Sequence, residues 1–185
     1  MSSALLVSIF NDVIGPVMRG PSSSHCAAAL RIGRLARDLM EADFQEVLVK
    51  FDRNGSLPTT HESQGSDMGL FGGLLGWDAA DERLPGSPQT LRDAGINIRI
   101  ETVDTSDEHP NTYRLTLRSA RGETHTLIAI STGGGMIEVT NIDGFAVSVF
   151  GDYHETLLSV IGNGQALVER PGYFENLQDN SANHF

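Results

Sequence analysis

The chain has 185 residues, 39% of them hydrophobic and 20% charged, enough apolar material for one core with at most a small appendage. Its 24 acidic residues against 13 basic ones give a net charge of −11, which argues against nucleic acid or an anionic membrane as a partner. No apolar run approaches a membrane span, and the one cysteine, Cys26, can form no internal disulfide, which fits a reducing cytoplasm.

The segment Met1 to Phe10 is apolar without a basic leader or cleavage pattern, and reads as a first strand or an anchoring segment rather than a signal peptide. Gly20-Pro21 then breaks the chain, and Ser22, Ser23 and Ser24 fall at the N-cap of a helix and its neighbours. Orphan backbone N–H groups and the positive end of the helix dipole converge there, a setting for a small anion such as a carboxylate, with the imidazole of His25 beside it. The plainer alternative is a well-capped helix carrying a surface histidine. Leu30, Ile32, Leu35, Leu39 and Met40 recur at helical spacing, giving an amphipathic helix of about five turns. Ala27, Ala28 and Ala29 keep its start thin, so that another segment or a ligand can come close.

Glu46 to Phe51 alternates as a strand that Asn54-Gly55 ends. Residues 56–66 read as a polar loop, and Asp67 to Leu75 as a short glycine-rich helix suited to close packing. Pro85 to Pro88 reads as a loop, followed by a short helix from Gln89 to Ala94 closed by Gly95. From Ile96 the period becomes two, through Ile98 and Ile100, Tyr113 to Leu117, Thr124 to Ser131, Met136 to Ile142 and Phe145 to Val149. Strands in series with tight turns predict an α+β fold, a mainly antiparallel sheet with helices on one face. There is no internal repeat.

Four blocks in order carry a resemblance. They are Gly20-Pro21-Ser22-Ser23-Ser24-His25 with Arg31-Ile32-Gly33; Gly65-Ser66-Asp67 with Gly72-Gly73-Leu74-Leu75; His109-Pro110-Asn111-Thr112; and Gly133-Gly134-Gly135 with Ile142-Asp143-Gly144-Phe145. Together they resemble the beta chain of the iron–sulfur L-serine dehydratases (L-serine ammonia-lyases), or the equivalent N-terminal domain of single-chain members. The resemblance implies a partner alpha chain carrying a [4Fe-4S] cluster, in a lyase that converts L-serine to pyruvate and ammonia. One cysteine cannot hold such a cluster, which takes about three or four thiolates, so the cluster belongs to another polypeptide.

The resemblance implies that His25 reaches the partner's active site to orient substrate or pass a proton, with Ser22, Ser23, Ser24, Gln64, Ser66 and Asp67 contacting substrate. It also implies that His109 and Asn111 bind L-serine as an allosteric activator. The plainer alternative there is a turn into a strand, with Asn111 capping its own backbone. The family pattern before the short helix is Gly-His-Gly-Thr-Asp, and this chain has Ser63-Gln64-Gly65-Ser66-Asp67. Glutamine hydrogen-bonds but exchanges no proton near neutral pH. His61, three residues earlier, either reaches the same space or is a solvated loop residue, the second being the reading preferred from sequence. Two other functions therefore stay open: a paralogue acting on another β-substituted amino acid, and a non-catalytic amino-acid-binding module.

Gly133-Gly134-Gly135 lacks the lysine of a phosphate loop and reads as a hairpin turn or a close backbone approach. Asp143-Gly144 reads as another hairpin turn. Cys26 is read as a small buried residue. The resemblance covers a domain at 1–155, and beyond it about thirty residues remain, too few for the ACT module that usually follows. Residues 156–185 are expected to be a tail or stub, with one strand at Thr156 to Ile161, turns at Asn163-Gly164 and Pro171-Gly172, and a frayed end.

Overall fold

The computed structural model describes residues 17–153 and 156–157. The expected N-terminal strand and the elements of the tail lie outside them. The chain divides into two compact units, Met1–Asp152 and Tyr153–Phe185, and all described helices and strands belong to the first.

That unit is built in the order α1 (Ser23–Leu39), β1 (Glu46–Asp52), α2 (Leu57–Thr60), α3 (Ser66–Leu74), a 3-10 turn at Leu84–Gly86, α4 (Ser87–Asp93), β2 (Asn97–Val103), β3 (Thr112–Arg118), β4 (Thr124–Gly133), β5 (Met136–Ile142) and β6 (Phe145–Val149). The strands form one six-stranded sheet in the order β2-β1-β3-β4-β5-β6. The α+β reading from sequence is correct, with one change of topology. β2 does not pair with β3; it lies parallel to β1, Val47 opposite Ile98 and Val49 opposite Ile100, and β1 separates it from the antiparallel strands. The three helices between β1 and β2 supply the long connection that parallel neighbours require. Exposed Asn97, Arg99 and Glu101 put polar groups along this edge strand, which discourages further pairing.

Alternation decides which face is buried. Val47, Val49 and Phe51 of β1, Leu115 and Leu117 of β3, Leu127 and Ala129 of β4, and Ile137 and Val139 of β5 form one core with Ala28, Ala29, Ile32 and Ala36 of α1. The alanines let the helix lie close to the sheet. α3 is buried almost all round, as a helix sandwiched between neighbours must be. A Cβ at Gly69 would stand 2.1 Å from the Cys26 carbonyl oxygen, one at Gly73 2.1 Å from that of Leu30, and one at Gly33 2.3 Å from that of Leu70. Contact positions rise together along the two helices, so α1 and α3 run in the same direction and bring their N-termini side by side.

The stretch 56–66 is not wholly a loop. Pro58 near the start of α2 supplies a preset φ, and the turn closes with His61 N–H donating to the Leu57 carbonyl at 2.9 Å. Pro85 to Pro88 is likewise helical in part, a 3-10 turn leading directly into α4.

At the end of β1, Asp52 organises the loop from 104 to 111. Its carboxylate is 4% exposed and accepts from the Asn54 N–H at 2.8 Å, the Asp107 N–H at 2.7 Å and the Thr105 hydroxyl at 3.1 Å. Asp107 in turn takes a two-pronged contact from Arg114. The backbone donor of Asn54, then that of Asp107, hold the Asp52 pKa below its ordinary 3.8. A depressed folded pKa contributes stability that is present above the unfolded value and lost as pH falls through the folded one. Thermal stability should therefore decline below pH 3.8, and Asp52→Asn should flatten that decline while lowering stability at pH 7. Melting curves of both proteins from pH 7 to pH 2 check this.

Candidate functional site

The chain reaches α1 through Gly20 at φ +128°, a conformation that side chains rarely adopt, where a Cβ would also stand 2.8 Å from that of Cys26. Ser22 is the N-cap, but its hydroxyl does not cap the backbone as expected. It lies 2.7 Å from Nδ1 of His25 instead, in hydrogen-bond geometry, and fixes that ring three residues into the helix. Ser23 is exposed, while Ser24 and His25 are half-buried.

The second helix start lies against the first. The Ser22 N–H donates to the Gln64 carbonyl at 3.2 Å. Gly65, with φ +80°, turns the chain into α3 where a Cβ would be 2.9 Å from the ring of Pro21. Ser66 and Asp67 then open α3. Two parallel dipoles place their positive ends together, which favours an anionic group. α1 has no acidic residue in its first turn, and α3 has only Asp67.

Asp67 is paired. His61 Nδ1 lies 2.8 Å from both carboxylate oxygens, and the two side chains are 22% and 19% exposed. His61 is thus not a solvated loop residue, and the correction has a physical cause: α2 ends at His61 and turns its ring inward. The ring packs against Phe51, centroids 5.3 Å apart, and Phe51 meets Tyr113 edge-on at 5.4 Å. Burial raises the Asp67 carboxyl above its ordinary pKa, and the charge of His61 works against that rise. Burial also pushes the Tyr113 phenol up to about 12, with the neighbouring Ser66 hydroxyl pulling it down. Ser66 Oγ and Tyr113 OH do not reach hydrogen-bond geometry, and these two atoms and Gln64 Oε1 are buried without a partner among the described residues. Groups left so are costly unless a water or a bound molecule meets them.

Ser22, His25, Gln64, Ser66 and Asp67 are thus gathered around the paired helix starts, and His61 joins them. His109 and Asn111 stand apart from this cluster, on the turn into β3. His109 Nδ1 accepts from the Asn111 N–H at 3.1 Å, so it is the histidine, not Asn111, that caps this turn. The Asn111 side chain is engaged by the Ser56 hydroxyl, and Ser56 N–H donates to the Pro110 carbonyl at 2.9 Å. Gly134 and Gly135, at φ +62° and +85°, form the two-residue turn between β4 and β5. A Cβ on Gly135 would come within 3.4 Å of that of Ala27, so this hairpin also makes a close approach to the start of α1. Asp143-Gly144 turns β5 into β6, and Asp143 meets His125 Nδ1 at 2.6 Å.

Cys26 is fully buried, and burial pushes its thiol up to about 11, so it is a packing residue rather than a reactive thiolate. No group of three or more histidine, cysteine or carboxylate side chains among the described residues is placed to hold a metal ion. With one cysteine in the chain, this donor set does not fit a [4Fe-4S] cluster.

Two features were missed from sequence. His61 was considered only as a neighbour of Gln64 and not as the partner of Asp67, because the two are six apart, a spacing that no single helix or strand face brings together. Tyr113 carried only a core-strand signal.

The fold and the site together define an α+β domain with a polar cluster gathered at two paired helix starts. No protein-family model matches the chain. It is 42% identical over 151 residues to the probable L-serine dehydratase beta chain of Bacillus subtilis (strain 168), covering 82% of this chain and 67% of that protein. It is 35% identical over 148 residues to the L-serine dehydratase beta chain of Peptoniphilus asaccharolyticus, covering 80% of this chain and 66% of that one. The match spans about two thirds of the length of each relative. The chain belongs to the L-serine dehydratase beta-chain family. Among the described residues no helix is long and apolar enough to cross a membrane.

Proposed function

We propose that this chain is the beta subunit of a cytoplasmic iron–sulfur L-serine dehydratase, inactive alone, in which residues 1–155 complete the active site of a cluster-bearing alpha chain. The observation that carries this reading is the convergence of the Ser22–His25 turn and the Gln64–Asp67 turn at two parallel helix starts. A substrate carboxylate finds backbone donors and positive dipole ends there. His25, held through Nδ1 by Ser22, presents its other ring nitrogen to the substrate, to orient it or to pass a proton. The iron–sulfur cluster belongs to the partner, since this chain lacks the thiolates for it.

His109 and Asn111 are proposed as a serine-sensing pocket. α2 supports this, because it joins that turn to the helix starts. Ser56 at its N-cap bonds Asn111, and His61 at its C-cap bonds Asp67.

A second reading is favoured by one residue. Gln64 cannot exchange a proton, which suits either a paralogue for another β-substituted amino acid or a non-catalytic amino-acid-binding module. Co-expression with a cluster-bearing alpha chain, then an anaerobic assay for pyruvate and ammonia from L-serine, separates these. Turnover that needs both chains supports the dehydratase. A stable complex that ignores L-serine points to the paralogue, and no complex at all points to the binding module.

A further inference from the structure

The His61–Asp67 pair has more structure than a tether needs. The end of α2 is already joined to the start of α3 by the backbone, the Ser66 N–H donating to the His61 carbonyl at 2.8 Å. A neutral side chain at position 67 would avoid burying a carboxylate beside Tyr113, yet Asp67 is there, at the cost that burial imposes on its charged form. Phe51 holds the imidazole from one side, and the ring edges an open depression of about 320 Å³ that also involves Pro58, Thr59, Glu62 and Ser63. An ionised carboxylate only accepts, so the Nδ1 that faces both Asp67 oxygens carries a hydrogen. The lone pair of the neutral ring is then on Nε2.

We propose that His61 and Asp67 form an acid–base dyad whose working atom is His61 Nε2, and that it handles the proton which Gln64 cannot. Only the identity of that proton rests on the dehydratase reading. In that reaction Nε2 takes the proton from Cα of a bound β-hydroxy amino acid. The C–H electron pair becomes the Cα–Cβ π bond as the Cβ–O bond breaks. The imidazolium, stabilised by Asp67, gives the same proton to the departing hydroxide and leaves as the neutral ring it began as. Atoms and charge balance without another reactant. Among the described residues, the charged and titratable groups beside the dyad are Glu62 in its own turn and Tyr113 from β3.

Two measurements test this. In the full chain alone, long-range proton–nitrogen NMR should find the neutral His61 ring protonated at Nδ1, and Asp67→Leu should shift it toward the opposite tautomer. An Nε2–H tautomer in the wild type, or no response to Asp67→Leu, overturns the dyad. In the two-chain complex, His61→Ala should lower kcat by about 10²–10⁴-fold with little change in KM, and added imidazole should restore part of it. Unchanged kcat, or a loss that imidazole does not relieve, overturns the catalytic role. A wild-type complex inactive on L-serine would count against the dehydratase reading instead, and the NMR result would still decide the dyad.

Discussion

His25→Ala in the assembled two-chain enzyme is expected to lower kcat by about 10²–10⁴-fold, the range for losing a positioned acid–base group. The ring is half-buried at the start of α1, so its removal opens no enclosed cavity and folding should survive. Assembly with the proposed alpha chain, and the absorbance of its proposed cluster, should both persist. Ser22→Ala tests the same residue indirectly. It frees the His25 ring by removing a 2.7 Å contact, and should cost about tenfold or less, since one neutral hydrogen bond is worth about 0.5–1.5 kcal/mol. Stopped kinetics on both variants check this. A His25→Ala enzyme that turns over at the wild-type rate would exclude His25 from the chemistry and favour a structural or binding role for the whole turn.

Gly69→Ala should be among the most damaging single changes in the fold. Helix propensity alone predicts a gain of about 1 kcal/mol for alanine over glycine in a helix interior. Packing reverses the sign. The new methyl carbon would lie 2.1 Å from the Cys26 carbonyl oxygen and 2.8 Å from its carbonyl carbon, and these are backbone atoms of α1 that cannot rotate away. α1 and α3 must separate, although α1 is pinned to the sheet by Ala28, Ala29, Ile32 and Ala36. Overpacking costs about 1–3 kcal/mol, and a clash with rigid backbone belongs at the upper end, so after the propensity gain a net loss of about 2 kcal/mol is expected. Gly73→Ala meets the Leu30 carbonyl oxygen at the same 2.1 Å, and the double variant should fail to fold. Urea midpoints at constant slope measure the single losses. Gly86→Ala serves as the control, since nothing stands within 4 Å of a Cβ there.

These two expectations concern one arrangement. Glycines on α1 and α3 let the helices touch backbone to backbone, and that contact aligns the starts carrying Ser22, His25, Gln64 and Asp67. Stability and the site depend on the same helix contact. A variant that separates the helices should therefore lose the site before it loses secondary structure.

Much of this was legible in the sequence. Helical spacing from Leu30 to Met40 and period two from Ile96 to Val149 gave the elements, because local periodicity states which face is buried. Gly133-Gly134-Gly135 and Asp143-Gly144 gave their hairpins, because positive φ has few suitable residues. The ordered blocks from Gly20 to Phe145 gave the family. The parallel pairing of β1 with β2 was not legible, since the period of a strand is the same whichever neighbour it takes. Helical structure in 56–66 was hidden by a polar, four-residue turn too short to show a period.

What the sequence determined by itself was composition, element type and the reach of one cysteine, all of which depend on residues near each other or merely counted. Tertiary structure alone decided which distant groups meet. His61 became a partner of Asp67 only because α2 turns its ring inward onto Phe51. The Ser22 hydroxyl meets His25 rather than the backbone, in a turn whose Ser22 N–H donates to the Gln64 carbonyl brought from another element. The turn into β3, where Asn111 capping its own backbone was the plainer alternative, is capped by His109, and the Asn111 side chain is engaged by Ser56. In each case a hydrogen-bonding group with several possible local partners was settled by one that the fold brought from elsewhere, and no local rule ranks such competitors.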